Sequence, residues 1–308
     1  MEREHTREDM TAAVRRMQDY ILDHLHGRIS LADLARAAGY SPWHAQRMFR
    51  ELTGQPPFEY IRRLRLSGAA MRLRDGVAGR QPRVLDVALD FMFDSHEGFT
   101  RSFSREFGVT PAEYRRTPRP VRLFLPYPLA PYRKKTDGGT EMDGKDMRAV
   151  FVQVIERPAW KILLKRAATA ADYFAYCGEV GCDVWGVLCS VKEALYEPVG
   201  LWFPGRLRPA GSSEYVQGVE LPLSWDGFVP DGFELAELPP ATMMVFQGEP
   251  YDDDNFEEEV GAVMEWIDRF NPAVYGYEWD PEAAPRFQLE PRGWRGYIEA
   301  RPARKAGR

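Results

Sequence analysis

Two stretches in the first third of the chain have the same pattern, and this pattern limits the fold more than any other feature. The first is SLADLARAAGYSPWHAQRMFRELTG, residues 30–54, and the second is VLDVALDFMFDSHEGFTRSFSREFG, residues 84–108. Each predicts a short amphipathic helix, a tight turn and a second helix that begins at a serine, Ser41 or Ser95. We therefore expect two helix-turn-helix units in tandem.

Further helices are expected around these two units. Apolar residues at helical spacing predict an amphipathic helix over residues 7–25. The pair Pro56-Pro57 is expected to start a long helix that reaches Leu73 and joins the two units. Residues 111–115 predict a short closing helix. The front of the chain, residues 1–116, is thus predicted to be an all-α domain.

Charge is divided unevenly along the chain. Residues 1–120 contain 20 arginines, no lysine and 16 acidic residues, a net charge of +4, whereas residues 121–308 contain 21 basic and 30 acidic residues, a net charge of −9. A basic front suggests that this part alone approaches a polyanion. Arginine suits phosphate and guanine recognition because its planar fork donates two hydrogen bonds together. Codon bias toward GC is an alternative source of the arginines, and both can contribute.

The second helix of each unit is expected to enter the major groove of double-stranded DNA with its N-terminal side chains. Gln46 suits adenine and Arg47 suits guanine, and Glu97 either accepts from cytosine or only caps its helix. Arg62, Arg63 and Arg65 are expected to touch phosphates. For each contact residue the alternative is an ordinary solvated side chain. The predicted DNA contacts are Trp43, His44, Gln46, Arg47, His96, Glu97, Thr100 and Arg101.

The motifs SPWHAQRMFRELTG and FDSHEGFTRSFSREFGVTPAEYR resemble those of the AraC/XylS family of transcription regulators, over about residues 8–116. The resemblance implies two helix-turn-helix units joined by a long helix, which read two adjacent major-groove segments on one face of the DNA. The chain departs from the family at Met92, where the second turn usually has glycine.

The segment 117–147 is rich in proline, glycine and charge and is predicted to be a linker, with an apolar patch at Leu123 to Tyr127 that could dock between domains. After it the pattern changes to strands. Residues 148–303 are interpreted as an α+β domain built from a duplicated strand–helix–strand–strand unit with pseudo-twofold symmetry, and 304–308 as a tail. The first helix of this domain is expected over Asp172 to Tyr196.

This second part is expected to hold a small-molecule pocket. Seven of the eight tryptophans lie in it, and aromatic walls suit flat or cationic organic ligands. Glu220 and Glu299 are flanked by apolar residues at apparently matching places of the two halves, and a buried carboxylate needs compensation. A cationic ligand could supply it, or an arginine such as Arg295 or Arg301. The predicted effector contacts are Glu220, Glu299, Trp185, Trp202, Trp279, Trp294, Tyr173, Phe203, Tyr251 and Tyr297.

The order ERPAWKILL, YVQGVELPL and GYIEARPA resembles that of the GyrI-like effector-binding domain, over about residues 149–302. The resemblance implies a pocket between two halves, lined by aromatic residues and often holding a central glutamate that meets a cationic, drug-like ligand.

The predicted function is a transcription regulator, not an enzyme, that binds DNA at its front and a small hydrophobic effector, with a lipophilic cation as one candidate, at its back. RNA polymerase is an expected partner. One alternative is a hydrolase of reactive small molecules in which Glu220 polarises water; another is a protein-interaction module.

The remaining expectations concern location and cofactors. A charged N-terminus and the lack of a long apolar run predict a cytoplasmic protein with no membrane segment. Cys177, Cys182 and Cys189 have no histidine nearby, so reduced thiols are expected, with no metal and no cofactor.

Overall fold

A computed structural model describes residues 2–76, 81–125 and 149–307, with side chains from residue 9 onward. The chain divides into two compact units, Met1–Gly139 and Thr140–Arg308, which are described separately as the N-terminal and the C-terminal unit. Most of the predicted linker, from residue 126 to residue 147, lies outside the described residues. No helix in the three described ranges combines the length and the apolar character that crossing a bilayer requires.

The N-terminal unit is helical, as predicted. Its helices are α1 (Glu2–Asp23), α2 (Leu31–Ala38), α3 (Pro42–Thr53), α4 (Pro57–Asp75), α5 (Val84–Asp90), α6 (His96–Phe107) and α7 (Pro111–Arg116). Helices α2 and α3 form the first helix-turn-helix unit, and α5 and α6 form the second.

The helix ends are set by the side chains that the sequence places there. Ser30 accepts from the backbone N–H of Asp33, whose carboxylate in turn accepts from the Ser30 N–H, so that α2 begins with a reciprocal capping box. These hydrogen bonds lower the pKa of Asp33. Ser41 and Ser95 cap α3 and α6 in the predicted way.

The two helix-turn-helix units have separate apolar cores. The first core contains residues from α1, α2, α3 and α4, with Met17, Leu34 and Phe49 almost fully buried. The second is aromatic: the Phe103 ring centroid lies 5.5 Å from that of Phe99 and 4.7 Å from that of Phe107. These buried faces are those that the helical periodicity predicts.

The tight turns of the two units use different residues. Gly39 ends α2 with φ of 76°, and Met92 follows α5 with φ of 63°. Among the described residues Met92 is the only non-glycine with a positive φ. A side chain in this left-handed region clashes with its own carbonyl group, which costs about 1–2 kcal/mol. Met92 therefore adopts the left-handed conformation at a cost in stability, in a turn that has one residue more before its capping serine than the first turn has.

Replacing Met92 with glycine removes this clash, and we expect Met92→Gly to raise the free energy of unfolding by about 1 kcal/mol. Chemical denaturation of the full chain measures the change. The matched variant Gly39→Ala places a side chain in the same conformation and should lower the free energy of unfolding by a similar amount. A destabilised Met92→Gly would show that packing of the Met92 side chain outweighs the strain.

The segment after α7 packs on the N-terminal unit. Leu123 is buried, and the backbone N–H of Phe124 donates to the buried Ser67 hydroxyl of α4 at 2.7 Å. The Phe124 ring lies edge-on to Tyr60, with 5.0 Å between centroids, and under the guanidinium of Arg63 at 4.3 Å. This part of the predicted apolar patch is thus part of the first core; Tyr127 lies outside the described residues.

The C-terminal unit is an antiparallel sheet with helices. Its strands are β1 (Val150–Arg157), β2 (Trp160–Arg166), β3 (Val199–Trp202), β4 (Tyr215–Leu221), β5 (Glu234–Leu238), β6 (Ala241–Gly248), β7 (Tyr277–Trp279), β8 (Arg286–Leu289) and β9 (Ile298–Lys305). Its helices are α8 (Tyr173–Val180), α9 (Val184–Cys189) and α10 (Phe256–Arg269). The single helix predicted over Asp172 to Tyr196 was wrong, because the chain breaks at Gly181, where φ is 92°. Strand β9 also continues two residues into the predicted tail.

The strand order has twofold symmetry. It is β1-β6-β9-β8-β3-β4-β2-β5, with β7 paired beside β9. Exchanging β1 with β5, β2 with β6, β3 with β8 and β4 with β9 reproduces the same order. Each predicted strand–helix–strand–strand half is therefore present, and each is completed by one strand from the other half.

The sheet has two chemically different faces. The face that we call inner carries an apolar cluster from both halves, including Ile162, Val216 and Met243. The outer face carries α8 and α9 over one half and α10 over the other, with Tyr215 and Tyr297 buried beneath them. Side chains alternate between these faces along each strand, so the strand register decides where each predicted site residue lies.

Candidate nucleic-acid interface and candidate effector site

Helix α3 presents the predicted DNA contacts to solvent. Trp43 is 69% exposed, and His44, Gln46 and Arg47 are also exposed. The Arg47 guanidinium lies 5.6 Å from the Trp43 ring centroid, so the two side chains stand together on the free face. The opposite face of α3 is buried in the first core.

Helix α6 presents its free face in the same way. His96, Glu97 and Arg101 are exposed, whereas Thr100 is only partly exposed. The hydroxyl oxygen of Thr100 is buried and has no hydrogen-bond partner within the described ranges. Glu97 occupies the first turn of the helix, where a carboxylate is favourable without any DNA contact. The geometry thus keeps both interpretations of Glu97 open.

Two further arginines share these exposed faces and were not predicted. Arg50 follows Arg47 by three residues on α3, and Arg105 follows Arg101 by four residues on α6. Both are exposed. Side chains three or four residues apart lie on one side of a helix, so the helical period was the signal that could have found them.

The arginines of α4 that were predicted to touch phosphates make contacts inside the fold, and their contact with DNA stays a prediction. Arg62 pairs with Glu59, and Arg63 donates to Glu106 at 3.0 Å. Arg65 donates to the carbonyl oxygens of Leu25 and Gly27 at 3.0 and 2.6 Å. These contacts join α4 to the first unit and to α6, a role that sequence spacing does not reveal.

In the C-terminal unit the carboxylate of Glu299 is fully buried, accepts two hydrogen bonds and forms a further ion pair with Arg286. It accepts from the Tyr297 hydroxyl at 2.7 Å and from Arg301 Nε at 2.5 Å, and Arg286 Nε lies 3.1 Å away. Burial raises the pKa of Tyr297, and the neighbouring Glu299 charge adds to the effect. The sequence left open whether a cationic ligand or an arginine compensates the buried charge of Glu299. Arg301 pairs with Glu299, while Arg295 pairs with Glu197.

Glu220 is also buried and paired, but on the other face of the sheet. It pairs with Arg157, whose guanidinium lies 4.2 Å from the Trp160 ring and 5.3 Å from the Phe287 ring. Glu220 lies opposite Ile162, an inner-face residue, whereas Glu299 lies opposite Phe246 beneath α10. The two carboxylates therefore cannot share one pocket.

The strand register also excludes the expected match between Glu220 and Glu299. Glu299 lies opposite Phe246 on the outer face, and Glu220 lies opposite Ile162 on the inner face. Helices of both halves cover the outer face, so matching residues of the two halves share a face. The expected match was therefore wrong.

The predicted aromatic contacts separate into distinct places. Trp202 lies on the outer face, edge-on to Tyr215 and under Arg286, and Tyr173 packs on the same core. Trp279, Tyr251 and Tyr297 belong to the core beneath α10, and Phe203 belongs to the inner cluster. Trp185 is partly exposed on α9, and Trp294 is 72% exposed next to Arg295. Only Trp202 and Tyr297 are directly linked to the Glu299 network.

Metal binding finds no support in the described part of the chain, where no group of three or more histidine, cysteine or acidic side chains is placed to hold an ion. Cys177 and Cys189 are partly exposed and Cys182 is exposed, all as free thiols. Burial raises the pKa of the Cys177 thiol to about 12, and the neighbouring Cys182 contributes.

Known proteins match the N-terminal unit. A family described as a helix-turn-helix domain matches residues 34–117. The HTH-type transcriptional activator AarP of Providencia stuartii is 41% identical over 96 residues, which are 31% of this chain and 68% of that protein. This chain belongs to the AraC family of helix-turn-helix proteins. The right origin-binding protein of Escherichia coli K12 is 44% identical over 110 residues, 36% of this chain.

The family match ends at residue 117. The AraC-family chain spans 37% of the length of the right origin-binding protein. A solved structure of SAV2435 bound to tetraphenylphosphonium covers 50% of this chain and 94% of its own, at 14% identity and a TM-score of 0.35.

The Glu299 network is expected to be a stability determinant. Glu299→Gln leaves the guanidiniums of Arg286 and Arg301 without their shared carboxylate, and removal of one member of a buried ion pair costs about 3–5 kcal/mol. Urea denaturation followed by circular dichroism measures the loss. The control is Glu278→Gln, which removes the exposed partner of Arg304 on the same strand and should cost under about 1 kcal/mol. Equal effects of both substitutions would contradict the buried network.

Proposed function

We propose that this AraC-family chain is a sequence-specific DNA-binding transcription regulator, with α3 and α6 as the helices that enter the major groove. The observation that carries the proposal is the pair of serine-capped helices whose free faces expose Gln46, Arg47 and Arg101. Arginine and glutamine make the bidentate contacts that distinguish guanine and adenine. The relatives named a transcriptional activator and an origin-binding protein support the same role.

The charge distribution supports this assignment. The first 120 residues have a net charge of +4, and the rest of the chain has −9. Because DNA repels an acidic surface and attracts a basic one, binding through the N-terminal unit is favoured. We also propose RNA polymerase as a protein partner, because a regulator bound at a promoter lies next to the polymerase.

The proposed role of the C-terminal unit is to bind a small aromatic effector that changes promoter output, as the resemblance to GyrI-like domains suggests. Trp202 and Arg286 are both partly exposed and lie together on the outer face, a combination that suits a flat organic molecule. The hydrolase alternative has less support, because Glu220 is 2% exposed and its Oε2 is paired with Arg157. A general base must reach the water it activates, and burial limits that access.

Arg47 gives the sharpest test of DNA recognition. We expect Arg47→Ala to weaken binding to a selected operator by about 10-fold or more, because a bidentate arginine–guanine contact contributes about 1–3 kcal/mol of discrimination. Operator sequences are first selected from a random duplex library with the full-length protein. Fluorescence anisotropy at fixed salt then compares the affinities for the operator and for a scrambled duplex.

Arg36 on α2 supplies the matched control. It is an exposed arginine whose guanidinium pairs with the neighbouring Asp33 at 3.3 Å, and it lies outside the proposed recognition helices. Arg36→Ala should change operator affinity less than about 3-fold, in line with loss of one peripheral charge. An unchanged affinity of Arg47→Ala, or an equal preference of the wild type for operator and scrambled duplex, contradicts sequence-specific binding through α3.

A further inference from the structure

We propose that the outer face of the C-terminal unit, at Trp202 and Arg286, binds an aromatic carboxylate. This inference rests on the proposed effector role and specifies its ligand class, an organic anion instead of a lipophilic cation. Three observations support it: the pairing of the strands, the contacts of Arg286 and the ion pairs that Glu299 makes with arginines.

Strand pairing places the relevant side chains in two adjacent rows on one face. Tyr215, Trp202 and Arg286 are directly opposite one another on β4, β3 and β8. Residues paired across antiparallel strands point to the same side of a sheet, and Tyr215 lies beneath α8 and α9. Trp202 and Arg286 therefore both lie on the outer face.

The second row runs across the symmetry centre of the sheet. It contains Gln217, Gly200, Gln288 and Glu299 on β4, β3, β8 and β9. Gly200 is at its middle, and a Cβ there would lie 2.5 Å from the Tyr215 hydroxyl oxygen. The row thus has polar side chains at Gln217, Gln288 and Glu299, and the Tyr215 hydroxyl lies over Gly200.

Arg286 has the features of an anion-binding arginine. Its guanidinium carbon lies 4.3 Å from the Trp202 ring centroid, which holds the planar group in place, and its side chain is 29% exposed. Its ion pair with Glu299 uses Nε, and among the described residues no acceptor receives a hydrogen bond from this guanidinium. A guanidinium carries five N–H donors, so the fork remains available for a carboxylate.

Glu299 does not supply a free negative charge for a cation. Its carboxylate already meets the guanidiniums of Arg301 and Arg286 and the Tyr297 hydroxyl, and it has no solvent exposure. A cationic ligand would have to displace one of these arginines or lie against both. Arg301 is shared between Glu299 and Asp268, whose Oδ1 lies 2.6 Å from Arg301. Within the described ranges Arg286 pairs with Glu299 alone, so it is the arginine of this cluster that attracts an anion.

A second buried group on the same face has one acceptor atom without a partner, although its side chain also hydrogen-bonds with Tyr215. Gln217 is 1% exposed, and its Oε1 accepts no hydrogen bond from any described residue. A buried acceptor without a partner is costly, and a hydroxyl or amide N–H of a bound molecule would satisfy it. This observation is independent of Arg286 and also indicates that the outer face is completed by a ligand.

The test uses three probes of one shape and different charge: 2-naphthoate, 2-naphthamide and 2-naphthylmethylammonium. Isothermal titration calorimetry with the full-length protein measures the three affinities. We expect 2-naphthoate to bind at least 10-fold tighter than the amide, and the ammonium to bind most weakly. Arg286→Gln should lower 2-naphthoate affinity at least 10-fold and leave 2-naphthamide affinity within about 3-fold.

Two further variants keep the test decisive. Arg304→Gln removes an exposed arginine from β9 and should leave all three affinities unchanged. Arg286→Lys keeps the charge beside Glu299 but removes the fork, so it should fold even where Arg286→Gln does not, and should bind 2-naphthoate less tightly than the wild type. Thermal unfolding confirms that each variant is folded at the temperature of the titration.

Each contrary result overturns a different statement. Tightest binding of the ammonium probe, or unchanged 2-naphthoate binding in both Arg286 variants, overturns the ligand class or its site while an effector role remains. Failure of all three probes to bind up to millimolar concentration overturns both the ligand class and the effector role of this face.

Discussion

The N-terminal unit depends on one left-handed residue between each pair of short helices. Gly39 and Met92 turn the chain so that the second helix crosses the first and buries one face against it. The serine after each turn then caps the second helix and fixes where it begins. With one face buried and the start fixed, the opposite face of α3 or α6 must be in solvent. The exposure of Arg47 and Arg101 is therefore a consequence of core packing.

The C-terminal unit is governed by a different constraint, the pairing of each buried carboxylate with arginine. Glu220 and Glu299 lie on opposite faces of one sheet, and each is neutralised within the fold. Two buried charges are tolerated because their partners are buried with them. The chemistry that we propose the outer face offers a ligand comes from the partly exposed Arg286 guanidinium and the Gln217 carbonyl oxygen.

Local features could be predicted from the sequence and long-range ones could not. The serine caps, the buried phenylalanines of α6 and the exposed side chains of α3 all follow from helical periodicity, which depends only on neighbouring residues. The face on which Glu220 or Glu299 lies depends on register between strands more than fifty residues apart in the chain. The two carboxylates lie on opposite faces because strand side chains alternate.

The contacts that the arginines of α4 make within the fold could not be predicted from the sequence either. Arg63 and Arg65 resemble surface phosphate contacts in a helical pattern, yet their partners are Glu106, on α6, and carbonyl oxygens in the loop after α1. Phe124 was expected in a linker but completes the first core through Tyr60 and Ser67. In each case the partner is remote in sequence, so that only the folded chain shows the contact.

Methylation interference at guanine N7 on a selected operator tests the central claim most directly, because N7 lies in the major groove. Two helix-turn-helix units on one face of the duplex predict two clusters of interfering guanines about 10 base pairs apart. One cluster should weaken in Arg47→Ala and the other in Arg101→Ala. A single cluster, or two that respond to the same substitution, would contradict a regulator that reads DNA through both α3 and α6.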